Sequence, residues 1–227
     1  MIKNSLFKRL NLILFVIFSS VLLFSGQAAA YRDSQIPNLE KIKQMIINYR
    51  NSGDWARELE VAGDRGIEMF YKAYDKNEKQ AVVFDIDETT VDNYEYYEKN
   101  GFAFVPKVWF EWLDSAKAPA IKGVKRIYDE AVKKGVPVFF VTGRSEKGRA
   151  SAEKNLMNAG YSKYEKLIMR SPEEKSLTAL KYKSQKRENI EKSGYHIILN
   201  VGDQYSDLFG GYSENILKLP NPMYFIQ

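Results

Sequence analysis

The stretch "AVVFDIDETTVDN", Ala81–Asn93, decides how the rest of the chain is read. An apolar run, Ala81 to Phe84, empties directly into Asp85, with Asp87 and Glu88 close behind. A buried strand that ends in crowded carboxylates is costly, because like charges repel and each loses water. The carboxylates must therefore hold something in place of that water.

Downstream, the same texture recurs. Candidate strands are "VPVFFVT" (136–142), "EKLIMR" (165–170), "HIILNVG" (196–202) and "NILKL" (215–219), with helical segments near 120–134, 145–159 and 184–193. Continuous apolar strands alternating with helices predict an α/β fold, a Rossmann-like parallel sheet with helices on both faces. Ser171-Pro172-Glu173-Glu174 reads as a capping box, and Gly194 as a helix stop. Upstream, Leu39, Ile42, Met45, Ile46 and Tyr49 fall at helical spacing. Gly53 then breaks the chain and Asp54 is placed to cap a second helix, with Trp55, Leu59, Ala62, Met69, Phe70 and Ala73 as its apolar positions.

The first thirty residues stand apart. Lys3, Lys8 and Arg9 precede a short apolar run, and Ala28-Ala29-Ala30 follows it. That order predicts a secretory signal peptide over 1–30, cleaved to leave Tyr31 first, and hence a periplasmic or secreted protein with no stable membrane anchor after cleavage. Three of the 34 basic residues and none of the 29 acidic ones lie there, so removal lowers the net charge from +5 to +2. No nucleic-acid footprint is expected from such a balance. The remaining 31–227 is long enough for one core, with N-terminal helices over 35–79 and a small helical cap over 93–119.

In parallel sheets, ligands bind beyond the carboxyl ends of the strands. Asp85 and Asp87, Thr142, and Asp203 stand at three such ends. There is no cysteine, and the single histidine, His196, lies at the start of a strand, where a partly buried structural role is expected. Thiol, phosphohistidine and Ser-His-Asp chemistry are thereby excluded. Two aspartates spaced D-x-D can act as nucleophile and proton carrier. Their repulsion calls for a hard cation such as Mg²⁺ with oxygen ligands, and Asp203, with Asp207 a turn on, can complete its shell. Thr142 offers a hydroxyl to anionic oxygens, and a lysine from the helix before the last long strand would offer charge; Lys175, Lys181, Lys183 and Lys186 are all near.

Together "DIDETT", "VTGR" and "GDQYSD" resemble the motifs of the haloacid dehalogenase superfamily of phosphohydrolases. "FDIDETTVDNYEYYEKNGFAF", "YKSQKR", "GYHIILNVGDQYSDLFGG" and "LKLPNPMYFI" are similar to the branch of bacterial class C acid phosphatases and plant vegetative storage proteins. The resemblance covers roughly Gln35 to Gln227. It implies an acid phosphatase for small phosphomonoesters, with nucleoside monophosphates as the expected class. Asp85 would form a phospho-aspartate, and Asp87 would protonate the leaving alcohol and then activate water. Thr142, Gly143 and Lys183 would bind the phosphoryl group. Asp85, the main-chain carbonyl of Asp87, and Asp203 would hold Mg²⁺, supported by Asp207, while Arg144 would touch substrate or anchor its loop. Alternatives are transfer of the phosphoryl group to an alcohol, or a storage role on the same fold. Tyr94, Tyr96 and Tyr97 would stack on a leaving group or pack the cap.

Overall fold

The computed structural model describes residues 37–226, so the predicted signal peptide lies outside the described residues. Of the unit that ends at Ile42, residues 37–42 are described, and they begin helix α1 (Leu39–Asn51). Within the unit Lys43–Gln227, helix α2 (Asp54–Ala73) leads into strand β1 (Gln80–Phe84). Helices α3 (Tyr94–Lys99), α4 (Pro106–Ser115) and α5 (Lys122–Lys133) precede β2 (Val138–Ser145). Then follow α6 (Arg149–Asn158), β3 (Lys166–Arg170), α7 (Ala179–Lys192), β4 (His196–Gly202), α8 (Tyr205–Leu208) and β5 (Asn215–Lys218).

The five strands are all parallel, in the order β3-β2-β1-β4-β5. Every residue of β1 is buried, as are the first five of β2 and the last six of β4. Successive side chains of a strand point to opposite faces, so an unbroken apolar run needs cover on both. Val82 and Phe84 pack with Leu59 and Phe70 of α2, Ile127 of α5 and Leu156 of α6. Ala81 and Val83 pack instead with Phe139, Tyr182 and Ile190, the last two from α7. A fully buried Phe84 makes Phe84→Ala cost about 3–5 kcal/mol. Helices α2 and α5 meet backbone to backbone: a Cβ on Gly123 would stand 2.1 Å from the Leu59 carbonyl oxygen.

The differences from the sequence expectations are local. α7 begins at Ala179 rather than near 184, because the Thr178 side chain caps it by accepting from the Lys181 amide at 3.3 Å. Lys183 therefore sits in the second turn rather than at the entrance. Gly53, at φ +81°, is the residue before α2, and Asp54 is its first residue, not its cap. Ser171 and Glu174 do form a capping box, but it closes a single 3₁₀ turn. On α1 only Ile46 is buried, and Met45 is exposed. His196 is exposed rather than partly buried, with its Nε2 3.0 Å from Glu214. Among the described residues no helix is long and apolar enough to cross a membrane.

Candidate active site

β1 has β2 on one side and β4 on the other, which makes its carboxyl end the switch point of the sheet. The chain turns sharply there. The amides of Thr90 and Val91 both donate to the Ile86 carbonyl, at 2.8 and 3.0 Å, and Glu88 takes a left-handed conformation, φ 54°. The Asp85 amide donates to the Val201 carbonyl at 3.0 Å, which ties this turn to β4.

Four ionic side chains converge on that point. Lys183 Nζ donates to Asp85 Oδ1 and to Asp207 Oδ1, each at 2.5 Å. Oxygens of Asp85, Asp203 and Asp207, all buried, lie within 4.8 Å of one another. Asp203 is gripped on both oxygens: Thr89 Oγ1 donates to one at 3.1 Å, Gln204 Nε2 and Asn221 Nδ2 to the other at 2.6 and 2.7 Å. Asp207 packs so tightly over Gly202 that a Cβ there would stand 2.4 Å from its own. Arg187, one turn beyond Lys183 on α7, donates to the Asp207, Phe209 and Gly211 carbonyls and so fixes the α8 loop.

Burial raises the Asp85 carboxyl well above its usual range; Lys183 opposes this, while Asp207, Asp203 and Asp87 add to it. Asp203 is pushed up to about 6 by burial and by Asp207, against the pull of its hydrogen bonds. Burial works against the Lys183 ammonium, yet Asp207 and Asp85 together hold its pKa above the ordinary value. One ammonium among three carboxylates leaves excess negative charge in a buried, oxygen-only donor set. That is the chemistry of a hard divalent cation, not of a zinc site built on nitrogen and sulfur. Ser206 Oγ, buried beside it without a hydrogen-bond partner, offers a further oxygen. The residues fit a divalent metal.

Asp87 is treated differently. Arg144 clasps it, with Nε 3.0 and 3.2 Å from the two oxygens and Nη2 2.5 Å from one. Asn93 Nδ2 adds a bond at 2.8 Å, and Trp112 Nε1 in turn donates to Asn93 Oδ1 at 2.8 Å. Arg144 is thus an anchor for Asp87. Thr142 Oγ1 accepts from the Arg144 amide at 3.2 Å, and exposed Gly143 lies between them. These groups open on a cavity of about 550 Å³ also lined by Tyr97, Trp109, Tyr224 and Phe225. Of the three cap tyrosines, only Tyr97 lines it. Tyr96 is buried against Tyr97 and Trp109, and Tyr94 lies over Arg50.

Every predicted site residue gathers at this end. Asp207 stands inside the carboxylate cluster rather than behind it. Sequence reasoning assigned no role to Gln204, Asn221, Tyr224 or Arg187. "LKLPNPMYFI" and "YKSQKR" carried their signal as resemblance only. Glu88 is buried between the Asn93 amide, at 2.9 Å, and the Tyr224 hydroxyl, and burial raises its carboxyl well above the usual range.

A parallel sheet with D-x-D after β1 and two further aspartates after β4 defines a haloacid dehalogenase-type fold. The class C acid phosphatase of Bacillus anthracis has the same fold, with a TM-score of 0.67 at 22% identity over 82% of this chain and 86% of that one. Residues 17–227 match the model of HAD superfamily subfamily IIIB (acid phosphatase), and the chain belongs to that family. Acid phosphatase 1 of Solanum lycopersicum is 37% identical over 179 residues, 77% of this chain and 65% of that protein. The stem 28 kDa glycoprotein of Glycine max is 39% identical over 155 residues, 66% of this chain and 61% of that one. The chain thus spans just under two thirds of the length of these curated relatives.

Proposed function

We propose that this protein is an exported, Mg²⁺-dependent acid phosphatase that hydrolyses small phosphomonoesters, nucleoside monophosphates foremost, through a phospho-aspartate. The observation that carries the reading is the pair of unlike aspartates. Asp85 lies in the carboxylate cluster with Lys183, and Asp87 is held apart from it by Arg144. Export rests on the residue order of the first thirty positions.

Mg²⁺ would be held by Asp85, Asp203, Asp207 and the main-chain carbonyl of Asp87, where it supplies positive charge against the phosphoryl oxygens. Thr142, Gly143 and Lys183 bind and orient the phosphoryl group. An Asp85 oxygen forms a bond to phosphorus as the ester P–O bond breaks, and the leaving oxygen takes a proton from the Asp87 carboxyl group. Asp87, now ionised, removes a proton from water as the water oxygen attacks phosphorus. The Asp85–phosphorus bond then breaks and inorganic phosphate leaves. Positioning and charge neutralisation carry most of such a transfer, which suits a site so heavily hydrogen-bonded.

A panel of phosphomonoesters assayed over acidic to neutral pH, with EDTA and with Mg²⁺ restored, tests the reading. Turnover lost with EDTA and regained with Mg²⁺ is expected. Full activity in metal-free buffer would overturn the metal, and no turnover with any phosphomonoester would overturn the activity. Added alcohol that captures phosphate as a new ester would reveal transferase behaviour.

A further inference from the structure

Three cations line the cavity, and two of them are spent. Arg144 is paired with Asp87, and Lys183 with Asp85 and Asp207. The third, Arg170, ends β3 and has no carboxylate partner among the described residues. Its Nη1 donates to the Leu177 carbonyl at 3.0 Å, its guanidinium lies 4.6 Å from the Tyr182 ring centre, and its Nε is buried with no hydrogen-bond partner. The side chain is thus oriented by neutral groups, and it lines the cavity without an ion-pair partner among the described residues. Ala179, the first residue of α7, lines the cavity too, so the positive end of a 14-residue helix stands on the same side.

We infer that Arg170 is a specificity residue that binds a second oxyanion, a phosphate or carboxylate carried by the leaving group of the substrate. The inference rests on the phosphatase reading above and narrows its substrate class. β3 is two strands from β1, so the two backbones stand roughly 10 Å apart across the sheet. Arg170 also pairs level with Ser145, beyond Thr142. A second anion several bonds from the scissile phosphate, on a sugar or similar spacer, reaches it. The planar guanidinium fork suits either oxyanion. Aromatic side chains that line the same cavity, Tyr97, Trp109, Tyr224 and Phe225, can receive the spacer's apolar part.

The test compares kcat/KM for a nucleoside 3′,5′-bisphosphate, a phosphorylated carboxylic acid and the matching nucleoside monophosphate, in wild type, Arg170→Gln and Arg170→Lys. In wild type, the substrates with a second anion should be favoured over the monophosphate by roughly tenfold to a hundredfold, the span of a charge-assisted hydrogen bond. The ratio should fall toward one in Arg170→Gln, mainly through KM, and recover in part in Arg170→Lys. Whichever of the two oxyanions loses more identifies the preferred source. A ratio near one in wild type, or an equal loss for all substrates with a lower melting temperature, would overturn the inference and leave Arg170 a brace for the 171–178 loop. Failure of the phosphatase reading shows separately, as absent turnover throughout. Calorimetric binding of the bisphosphate to Asp85→Asn protein, with and without Arg170→Gln, needs no turnover. Equal affinities there would likewise sink the assignment.

Discussion

The carboxylate of Asp85 shares its surroundings with those of Asp203 and Asp207, and the three have one ammonium, Lys183, between them. The carboxylate of Asp87, two residues on, is matched one to one by the Arg144 guanidinium. The first setting is short of positive charge and the second is balanced. The difference separates two tasks. In the proposed mechanism Asp85 attacks phosphorus and needs a cation beside it, which an unbalanced carboxylate cluster attracts. In the same mechanism Asp87 carries the proton, and the Arg144 fork and Asn93 hold its carboxylate in place.

The harshest way to break the comparison is Asp85→Asn. It should cost at least about 10³-fold in kcat with the fold retained, since in the proposed mechanism Asp85 alone forms the covalent intermediate. Activity near wild type, with circular dichroism unchanged, would mean that water attacks directly.

Arg144→Met attacks the balanced side. It leaves the half-buried Asp87 without its cation, so a stability loss of about 1–3 kcal/mol is expected alongside a fall of roughly 10²-fold in kcat. Denaturant titration and steady-state kinetics on one preparation check both. A fall in kcat/KM through KM alone would return Arg144 to direct substrate binding.

The unbalanced side predicts a pH effect in metal-free protein. The folded Asp203 carboxyl holds its proton up to about pH 6, against an ordinary 3.8. Its proton stabilises the fold at the acid end, and that contribution is lost as pH rises from about 4 through 6. The melting temperature of EDTA-treated wild type should therefore drop relative to Asp203→Asn across that window, on the order of 2–3 kcal/mol or several degrees. Mg²⁺ should reverse the drop. A difference flat with pH would show that the cluster tolerates its charge unaided.

The smallest effect sharpens the same point. Asn221→Ala removes one of two donors to the same Asp203 oxygen, worth about 1 kcal/mol. The Mg²⁺ concentration for half-maximal activity should shift several-fold while saturated kcat holds. A change in kcat with no change in Mg²⁺ requirement would assign Asn221 elsewhere.

Much of this was legible in the chain itself, for a physical reason. Burial on both faces demands unbroken apolar runs, so "AVVFDI" and "HIILNVG" announced their strands, and carboxylates at their ends announced the site. The start of α7 was not legible, because its apolar face is thin and Thr178 sets its beginning through one hydrogen bond. Nor was the environment of His196, since a strand's first residue can face solvent at the sheet's far end.

The sequence by itself determined the alternation of strands and helices, the absence of thiol and histidine chemistry, and the aspartates at the strand ends. Only the tertiary structure decided which charges meet. Lys183 finds Asp85 across 98 positions, Tyr224 finds Glu88 across 136, and Arg144 finds Asp87 across 57. No spacing rule spans such separations. Partners on neighbouring strand ends are chosen by the order and register of the sheet, and that order also leaves Arg170 lining the cavity with no ion-pair partner among the described residues.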